Sequence, residues 1–282
     1  MAGRGMSVQP PVREARGDGR SVLIIMPARN EAERIAPVIR EVRECLPDAQ
    51  VLVIDDGSSD STPEVAREAG ALVARLPFHL GYGGALQTGY RFAVAKGFDF
   101  VVQMDSDGQH RPVDLPQLLE LVARDECDLA IGSRFAREAE SSGLGPRYEM
   151  GMLRSIGRRT LCFFARVGGL RVTDPTSGLQ AMNARTLELF ASSLYPVDYP
   201  DVDVLLLAHR RGLRVRERAV EMNPSPRPSM LHSGWMPIYY AYRMLLSLWA
   251  LSAVPRSRSS DSEALFAPGS GGGESGSPGG CE

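Results

Sequence analysis

Two aspartates, Asp105 and Asp107, directly follow the apolar residues 100–104 and are separated by a single serine. Carboxylates two residues apart at the end of a strand can both bind a hard divalent cation such as Mg²⁺ or Mn²⁺, and Gln109 can add a third oxygen. A metal bound in this way keeps open positions for a diphosphate leaving group. An acidic turn is the alternative interpretation, because Asp and Gly are common turn residues.

A second acidic segment, DDGSSD at residues 55–60, follows the apolar residues 51–54. Ligands of parallel sheets bind at the carboxyl ends of the strands, so Asp56 is expected to accept hydrogen bonds from a nucleoside base or ribose. Ser58 and Ser59 either let a ligand come close or form an ordinary turn before a helix. Both interpretations stay open.

A glycine-rich segment, HLGYGGALQTG at residues 79–89, leads into a predicted helix. It does not form the dinucleotide fingerprint of oxidoreductases, because Leu86 stands where the third glycine is required. Its glycines either direct backbone N–H groups toward a ligand or allow a helix to pack closely on the sheet. The sequence does not decide between these two uses.

The second half of the chain offers further candidates. Asp201 and Asp203 precede a predicted helix, where either could act as a general base toward a hydroxyl acceptor or stabilise the helix dipole. Arg154 and Arg158 lie four residues apart on a predicted helix, 148–167, and can project from one face. For Arg158, Arg159 and Arg166 a solvated basic face is the preferred interpretation.

The elements that must position these residues alternate along the chain. Short apolar segments rich in Val and Ile are typical of strands buried on both faces, and helical spacing separates them. This alternation predicts an α/β fold with a mainly parallel central sheet and helices on both faces. The predicted strands are 22–26, 51–54, 71–73, 100–104 and 129–131, and the helices between them are 31–46, 63–69, 84–96 and 114–125.

Composition excludes several classes of protein. The 282 residues have a formal charge of −2, which gives no bulk electrostatic reason to bind nucleic acid. Lys96, the only lysine, precedes Gly97, so the phosphate-binding loop of P-loop NTPases cannot occur. The four cysteines lack metal-site spacing, and no secretory signal precedes them. A reduced, cytoplasmic setting is therefore expected.

The predicted domain occupies residues 21–233, between a flexible arm at 1–20 and a disordered Ser/Gly-rich tail at 255–282. Residues 234–254 are expected to form an amphipathic helix. Its apolar part, 236–254, is marginal as a membrane span and carries a single charge, Arg243. Its tyrosines and tryptophan suit a membrane interface, while packing on the sheet and a dimer contact remain alternatives.

Taken in order, these motifs resemble family 2 glycosyltransferases of the GT-A (Rossmann-like) fold. The resemblance covers about residues 21 to 232 and is greatest for the branch that makes polyprenyl-phosphate (dolichol-phosphate) mannose or glucose. Each motif alone is weak evidence for the family, but their occurrence together in this order makes the resemblance specific. They are PARNE, VIDDGSSDST, LGYGGALQTG, MDSDGQH, GSRF and DPTSG.

The resemblance implies an inverting, metal-dependent hexosyltransferase at the cytoplasmic membrane face. Its donor would be GDP-mannose or a UDP-sugar, and its acceptor a polyprenyl phosphate. Residues Pro27, Arg29, Asn30, Glu31, Asp56 and Asp105 would bind the nucleotide, Asp105, Asp107 and Gln109 the metal, and Arg134, Arg154 and Arg227 phosphates. A hydroxyl acceptor is one alternative, and a non-catalytic nucleotide-sugar-binding protein is another. The sugar and the oligomeric state stay open.

Overall fold

The structure, a computed structural model, describes residues 19–136, 152–196 and 200–223; at positions 152–154 and 156 it describes the backbone alone. Its strands are β1 (Val22–Ala28), β2 (Gln50–Asp55), β3 (Leu72–Arg75), β4 (Phe100–Gln103), β5 (Leu129–Ser133), β6 (Gln180–Asn183) and β7 (Val215–Ala219). Its helices are α1 (Ile35–Cys45), α2 (Thr62–Glu68), α3 (Tyr82–Lys96), α4 (Leu115–Ala123), α5 (Met152–Val167), α6 (Ala184–Ala191) and α7 (Val202–Arg210), with a 3₁₀ turn at Pro112–Asp114.

The strands form one sheet in the order β3-β2-β1-β4-β6-β5-β7. All neighbours are parallel except β6, which runs antiparallel to both β4 and β5. The carboxyl ends of β1, β2, β4 and β5 therefore lie along one edge of the sheet. The predicted mainly parallel sheet is confirmed, and the five predicted strands correspond to β1–β5.

Strand β1 shows why helices cover both faces of the sheet. All seven of its residues are buried, and successive side chains point to opposite faces. Leu23 and Ile25 join a hydrophobic core with α3, α6 and α7. Ile24 and Met26 join a second core with α1, α2 and α4. The prediction of helices on both faces is confirmed.

The glycine-rich segment is explained in part by packing. A Cβ atom at Gly89 would lie 2.6 Å from Ile25 Cγ2, so only glycine lets α3 lie this close to β1. Gly97 ends α3 in the left-handed conformation, with φ 68°. For Gly89 the packing interpretation is therefore correct.

Two strands were not predicted. β6 is only four residues long, and β7 alternates apolar and charged residues in the sequence VRERA at the edge of the sheet. The first helix also begins later than predicted, at Ile35. A turn precedes it, in which the backbone N–H groups of Arg34 and Ile35 donate to the Glu31 carbonyl oxygen.

The predicted terminal segments lie mostly outside the described residues. The last residue of the predicted arm, Arg20, donates to Ala123 O at 2.9 Å, so the ordered domain begins slightly earlier than expected. The predicted interfacial helix at 234–254 and the tail at 255–282 are not described. Within the described ranges, no helix has the length and hydrophobicity needed to cross a bilayer.

Candidate active site

The loops that follow β1 and β2 are tied together by side-chain hydrogen bonds. Asn30 N donates to Ser58 Oγ at 3.0 Å, and Ser59 N donates to Asn30 Oδ1 at 2.9 Å. Glu31 N donates to Thr62 Oγ1 at 2.8 Å. Ser58 and Ser59 therefore stabilise the turn that follows β2, as the second of their two interpretations predicts.

The predicted nucleotide residues of β1 take different places around these loops. Pro27 lies within β1 beside Ile54, and its carbonyl oxygen accepts from Ser106 Oγ at 2.9 Å. Arg29 and Asn30 are exposed, whereas Glu31 is partly buried. The sheet therefore brings the predicted group to one edge.

Asp56 is buried and already accepts several hydrogen bonds. His79 Nδ1 lies 2.7 Å from its Oδ2, and the backbone N–H groups of Leu80 and Gly81 donate to the carboxylate at 2.7 and 3.0 Å. The segment before α3 is thereby fixed to the end of β2. A nucleoside that bonds to Asp56 must share or replace these donors.

Asp105 is oriented by two side chains at the same edge. Tyr82 Oη donates to its Oδ1 at 2.8 Å, and His110 Nε2 lies 3.2 Å from its Oδ2. Burial alone would raise the pKa of Asp105, but the hydrogen bonds with His110 and Tyr82 and the charge of Arg134 outweigh it and hold this pKa below its ordinary value. Asp105 is therefore kept ionised.

Asp107 and Gln109 bond to each other. Gln109 N donates to Asp107 Oδ1 at 2.9 Å, and the Gln109 side-chain nitrogen donates to Oδ2. Metal binding would need the Gln109 amide oxygen instead, so a cation would replace the second bond. The donor set of two carboxylates and an amide suits Mg²⁺ or Mn²⁺, which prefer oxygen ligands. No three His, Cys, Asp or Glu side chains converge as a metal site in the described part of the chain.

Arg134, at the end of β5, is held by a buried carboxylate. Its Nε and Nη2 each lie 2.7 Å from an oxygen of Asp174, which is fully buried, and its backbone N–H donates to the same group at 3.1 Å. Glu217 on β7 accepts from the backbone N–H groups of Thr173 and Asp174, at 2.8 Å each. Burial raises the pKa of Glu217, and these hydrogen bonds offset that only in part.

The loop 174–178 joins the acidic and basic parts of the site. At one end Asp174 binds Arg134. At the other, a Cβ on Gly178 would lie 2.6 Å from Asp105 Oδ2 and 3.0 Å from Tyr82 Oη. A carboxylate suited to a metal and a fixed guanidinium thus lie on either side of one short loop, and both groups can stabilise the charge of a diphosphate.

Comparison with known proteins decides the family. The family model described as glycosyl transferase family 2 matches residues 23–184, which include Asp56, Asp105, Arg134 and Asp174. The chain belongs to glycosyl transferase family 2. The resemblance inferred from the ordered motifs is therefore confirmed, and the chain is an enzyme of this class.

Curated relatives of this glycosyltransferase include two with named activities. The undecaprenyl-phosphate mannosyltransferase of Micrococcus luteus is 34% identical over 172 residues, which cover 59% of this chain and 68% of the relative. The UDP-N-acetylglucosamine–dolichyl-phosphate N-acetylglucosaminyltransferase of Methanococcus voltae is 26% identical over 215 residues, 70% of this chain and 83% of that protein.

A solved structure supports the fold of the glycosyltransferase. Glucosyl-3-phosphoglycerate synthase of Mycobacterium tuberculosis, crystallised with Mn²⁺, UDP-glucose and phosphoglyceric acid, superposes with a TM-score of 0.62 at 23% identity. The match covers 85% of this chain and 82% of the other. The GT-A fold prediction is thus confirmed.

The two candidate bases of the glycosyltransferase lie at the start of α7. Asp203 is buried, and its Oδ1 accepts from the backbone N–H groups of Asp201 and Val204 at 3.0 and 2.9 Å. These are the contacts of a carboxylate that stabilises a helix start. A role as general base stays a prediction. The side chains of Arg154 and Arg227 lie outside the described residues, so their phosphate contacts also stay predictions.

Sequence reasoning missed four residues of the site. Tyr82 and His110 orient Asp105, whereas Asp174 and Glu217 fix Arg134. His110 had a signal, because it follows Gln109 in the same loop. Tyr82 and Asp174 lie in the motifs LGYGGALQTG and DPTSG, to which no site role was given. Glu217 had no such signal, because it contacts partners distant in sequence.

Proposed function

We propose that this glycosyltransferase transfers a hexosyl group, with inversion, from a nucleoside diphosphate sugar to a polyprenyl phosphate. The observation that carries the proposal is the loop 174–178, which lies against Asp105 at Gly178 and supplies Asp174, the ion-pair partner of Arg134. The two relatives named for undecaprenyl-phosphate and dolichyl-phosphate support a lipid phosphate acceptor. Their names specify mannose and N-acetylglucosamine, so GDP-mannose and UDP-sugars are both candidate donors.

A divalent cation completes this proposal. Asp105, Asp107 and Gln109 are the residues that would hold Mg²⁺ or Mn²⁺, and the Mn²⁺ in the M. tuberculosis synthase structure supports this choice. Such an ion, when bound, offsets the negative charge that develops on the departing diphosphate. Asp105 suits the role because His110 and Tyr82 keep it oriented and ionised before any ligand arrives.

The chain's own residues supply the remaining functions. Asp56 accepts hydrogen bonds from the base or ribose, beside the predicted contacts from Pro27, Arg29, Asn30 and Glu31. Arg134 stabilises diphosphate charge, and the position in which Asp174 holds it avoids reorganisation during the reaction.

The acceptor side needs no general base under this proposal. A phosphate acceptor is already anionic at neutral pH, so it attacks the anomeric carbon without losing a proton. This agrees with the helix-start contacts of Asp203. Arg154 and Arg227 are the proposed contacts of the acceptor phosphate.

The test is a screen of GDP- and UDP-sugars with Mn²⁺ and a short polyprenyl phosphate, followed by the mass and anomeric configuration of the product. Asp107→Asn is expected to lower turnover about 100-fold or more, the scale of a lost electrostatic contact to the transition state. Asp48→Asn, an exposed aspartate near the opposite end of β2, is the matched control.

Three results would contradict the proposal. Full turnover in metal-free buffer would exclude the cation. Transfer to a hydroxyl acceptor but never to a lipid phosphate would favour the alternative acceptor class. Nucleotide-sugar binding without turnover on any acceptor would indicate a non-catalytic protein. Asp56→Ala should separately weaken binding of the nucleoside diphosphate alone.

A further inference from the structure

The outer side of α5 combines exposed apolar and basic side chains. Phe163 and Val167 are 62% and 69% exposed, although apolar residues of this size are usually buried. Arg159 and Arg166 are exposed beside them. Arg159, Arg166 and Val167 each lie three or four positions from Phe163. At about 100° per residue, the four side chains therefore fall within about 100° on one side of the helix. We call them the outer face of α5.

This face belongs to a strongly basic stretch of an otherwise balanced chain. Residues 152–173 contain five arginines and no acidic residue, whereas the whole chain has a formal charge of −2. Neither Arg159 nor Arg166 forms an ion pair with any residue that the structure describes. The charge of the outer face is thus available to an external anionic partner.

The mixture of side chains indicates which anionic partner fits. Phe163 and Val167 can enter the boundary between headgroups and acyl chains, where apolar area is removed from water. The long stems of Arg159 and Arg166 let their guanidinium groups reach lipid phosphates from the same position. An anionic bilayer satisfies both requirements at once, since it presents apolar chains beneath a layer of negative charge.

The inner side of the same helix contacts the site. Arg158, next to Arg159, donates to the Thr173 carbonyl oxygen at 2.8 Å. Its guanidinium lies 4.2 Å from the ring centre of Phe135, the residue after Arg134. Arg158 is therefore not part of a solvated face, contrary to the interpretation from sequence. The helix connects its outer face directly to the loop that binds Arg134.

We propose that the outer face of α5 is a docking surface for an anionic lipid bilayer, which brings the Arg134 side of the site to the membrane. The surface is distinct from the segment 234–254. Its use in delivering a lipid acceptor rests on the proposed function, whereas its binding to lipid can be measured without any transfer reaction.

The experiment measures co-sedimentation of the full-length chain with vesicles of phosphatidylcholine, with and without phosphatidylglycerol, at low and high salt. Arg159→Gln/Arg166→Gln is expected to weaken binding to the anionic vesicles about 25-fold, from about fivefold for each arginine near a charged surface. Phe163→Ser/Val167→Ser is expected to weaken it about tenfold or more. High salt should reduce binding of the parent toward that of the arginine variant.

Matched controls carry the same substitutions elsewhere on the surface. Val94 and Val113 are 42% and 57% exposed, and Val94→Ser/Val113→Ser should bind as the parent does. Arg67→Gln/Arg124→Gln removes two arginines from exposed pairs on α2 and α4, and it too should bind normally. Melting temperatures of all variants show whether each one folds.

The outcomes separate this proposal from the proposed function. Four results would overturn the docking surface. Both outer-face variants could bind vesicles as the parent does, or the control variants could lose as much binding. The parent could also bind phosphatidylcholine vesicles equally well, or bind no vesicles at all. If the variants lose vesicle binding but the parent transfers no sugar to any acceptor, the docking surface stands and the proposed function fails. Calorimetric nucleotide binding should be unchanged in every variant.

Discussion

Removing both partners of the Arg134–Asp174 pair should destabilise the protein by less than the sum of the two single removals. The two side chains share two hydrogen bonds of 2.7 Å, and Arg134 is only 13% exposed while Asp174 is fully buried. Arg134→Met leaves a buried carboxylate without its counterion, and Asp174→Asn leaves a nearly buried cation without its anion. The double variant leaves neither.

The size of the effect follows from this burial. Breaking a buried ion pair by removing one partner costs about 3–5 kcal/mol, and two hydrogen bonds to charged groups at about 1.5–3 kcal/mol each give a similar figure. Each single variant should therefore lose about 3 kcal/mol, or about 6–12 °C in melting temperature for a domain of this size. The double variant should recover about 2 kcal/mol of the summed loss.

Urea and thermal unfolding of the parent, the two single variants and the double variant measure this coupling. The control cycle uses Arg124 and Glu120, whose side chains are 67% and 53% exposed and whose coupling should stay below about 0.5 kcal/mol. If the loss in the Arg134–Asp174 double variant equals the sum of the single losses within about 0.5 kcal/mol, the buried pair does not act as described.

Three other predictions concern single residues. Gly178→Ala places a methyl group against Asp105 and should lower turnover about 100-fold with little change in melting temperature, and normal turnover would contradict the contact. Tyr82→Phe removes one hydrogen bond to Asp105 and should lower turnover about tenfold, measured beside the parent at saturating donor. Asp128 is nearly buried; burial would raise its pKa, but hydrogen bonds from Arg214 and Asn183 lower it below the ordinary value. The ionised Asp128 therefore stabilises the fold above about pH 3.9, and this stabilisation is lost as pH falls through the lowered pKa. The Asp128→Asn variant should be less stable than the parent at about pH 7 and should lose less stability on acidification. Urea unfolding at a series of pH values measures both differences.

The core of the fold was predictable because its strands are buried on both faces. Residues such as those of β1 form unbroken apolar segments, and helical spacing between them implies parallel crossovers. β7 was not predictable in the same way. It lies at the sheet edge, where its Arg and Glu residues are tolerated, and its ladder with β5 depends on a partner more than 80 residues away.

The site was predictable only where strand ends specify it. Asp56, Asp105 and Arg134 each follow an apolar strand, so their common edge could be inferred from the parallel sheet alone. Their partners could not be inferred. Asp174 meets Arg134 only because β6 and the loop before it lie beside β5, and that arrangement depends on an antiparallel strand without a clear sequence signal.

The orientation of Asp105 also depends on the hydrophobic core beneath it. Tyr90 Oη donates to the Gln103 side-chain oxygen, Gln103 Nε2 donates to Tyr82 Oη at 3.2 Å, and Tyr82 Oη donates to Asp105. The Tyr90 ring packs 5.6 Å from the Phe190 ring, inside the core shared by α3 and α6. Hydrogen bonds in a chain polarise and orient one another. The packing of Tyr90 therefore helps to position the Asp105 carboxylate through Gln103 and Tyr82. Substitutions in this core should therefore alter turnover before they unfold the domain.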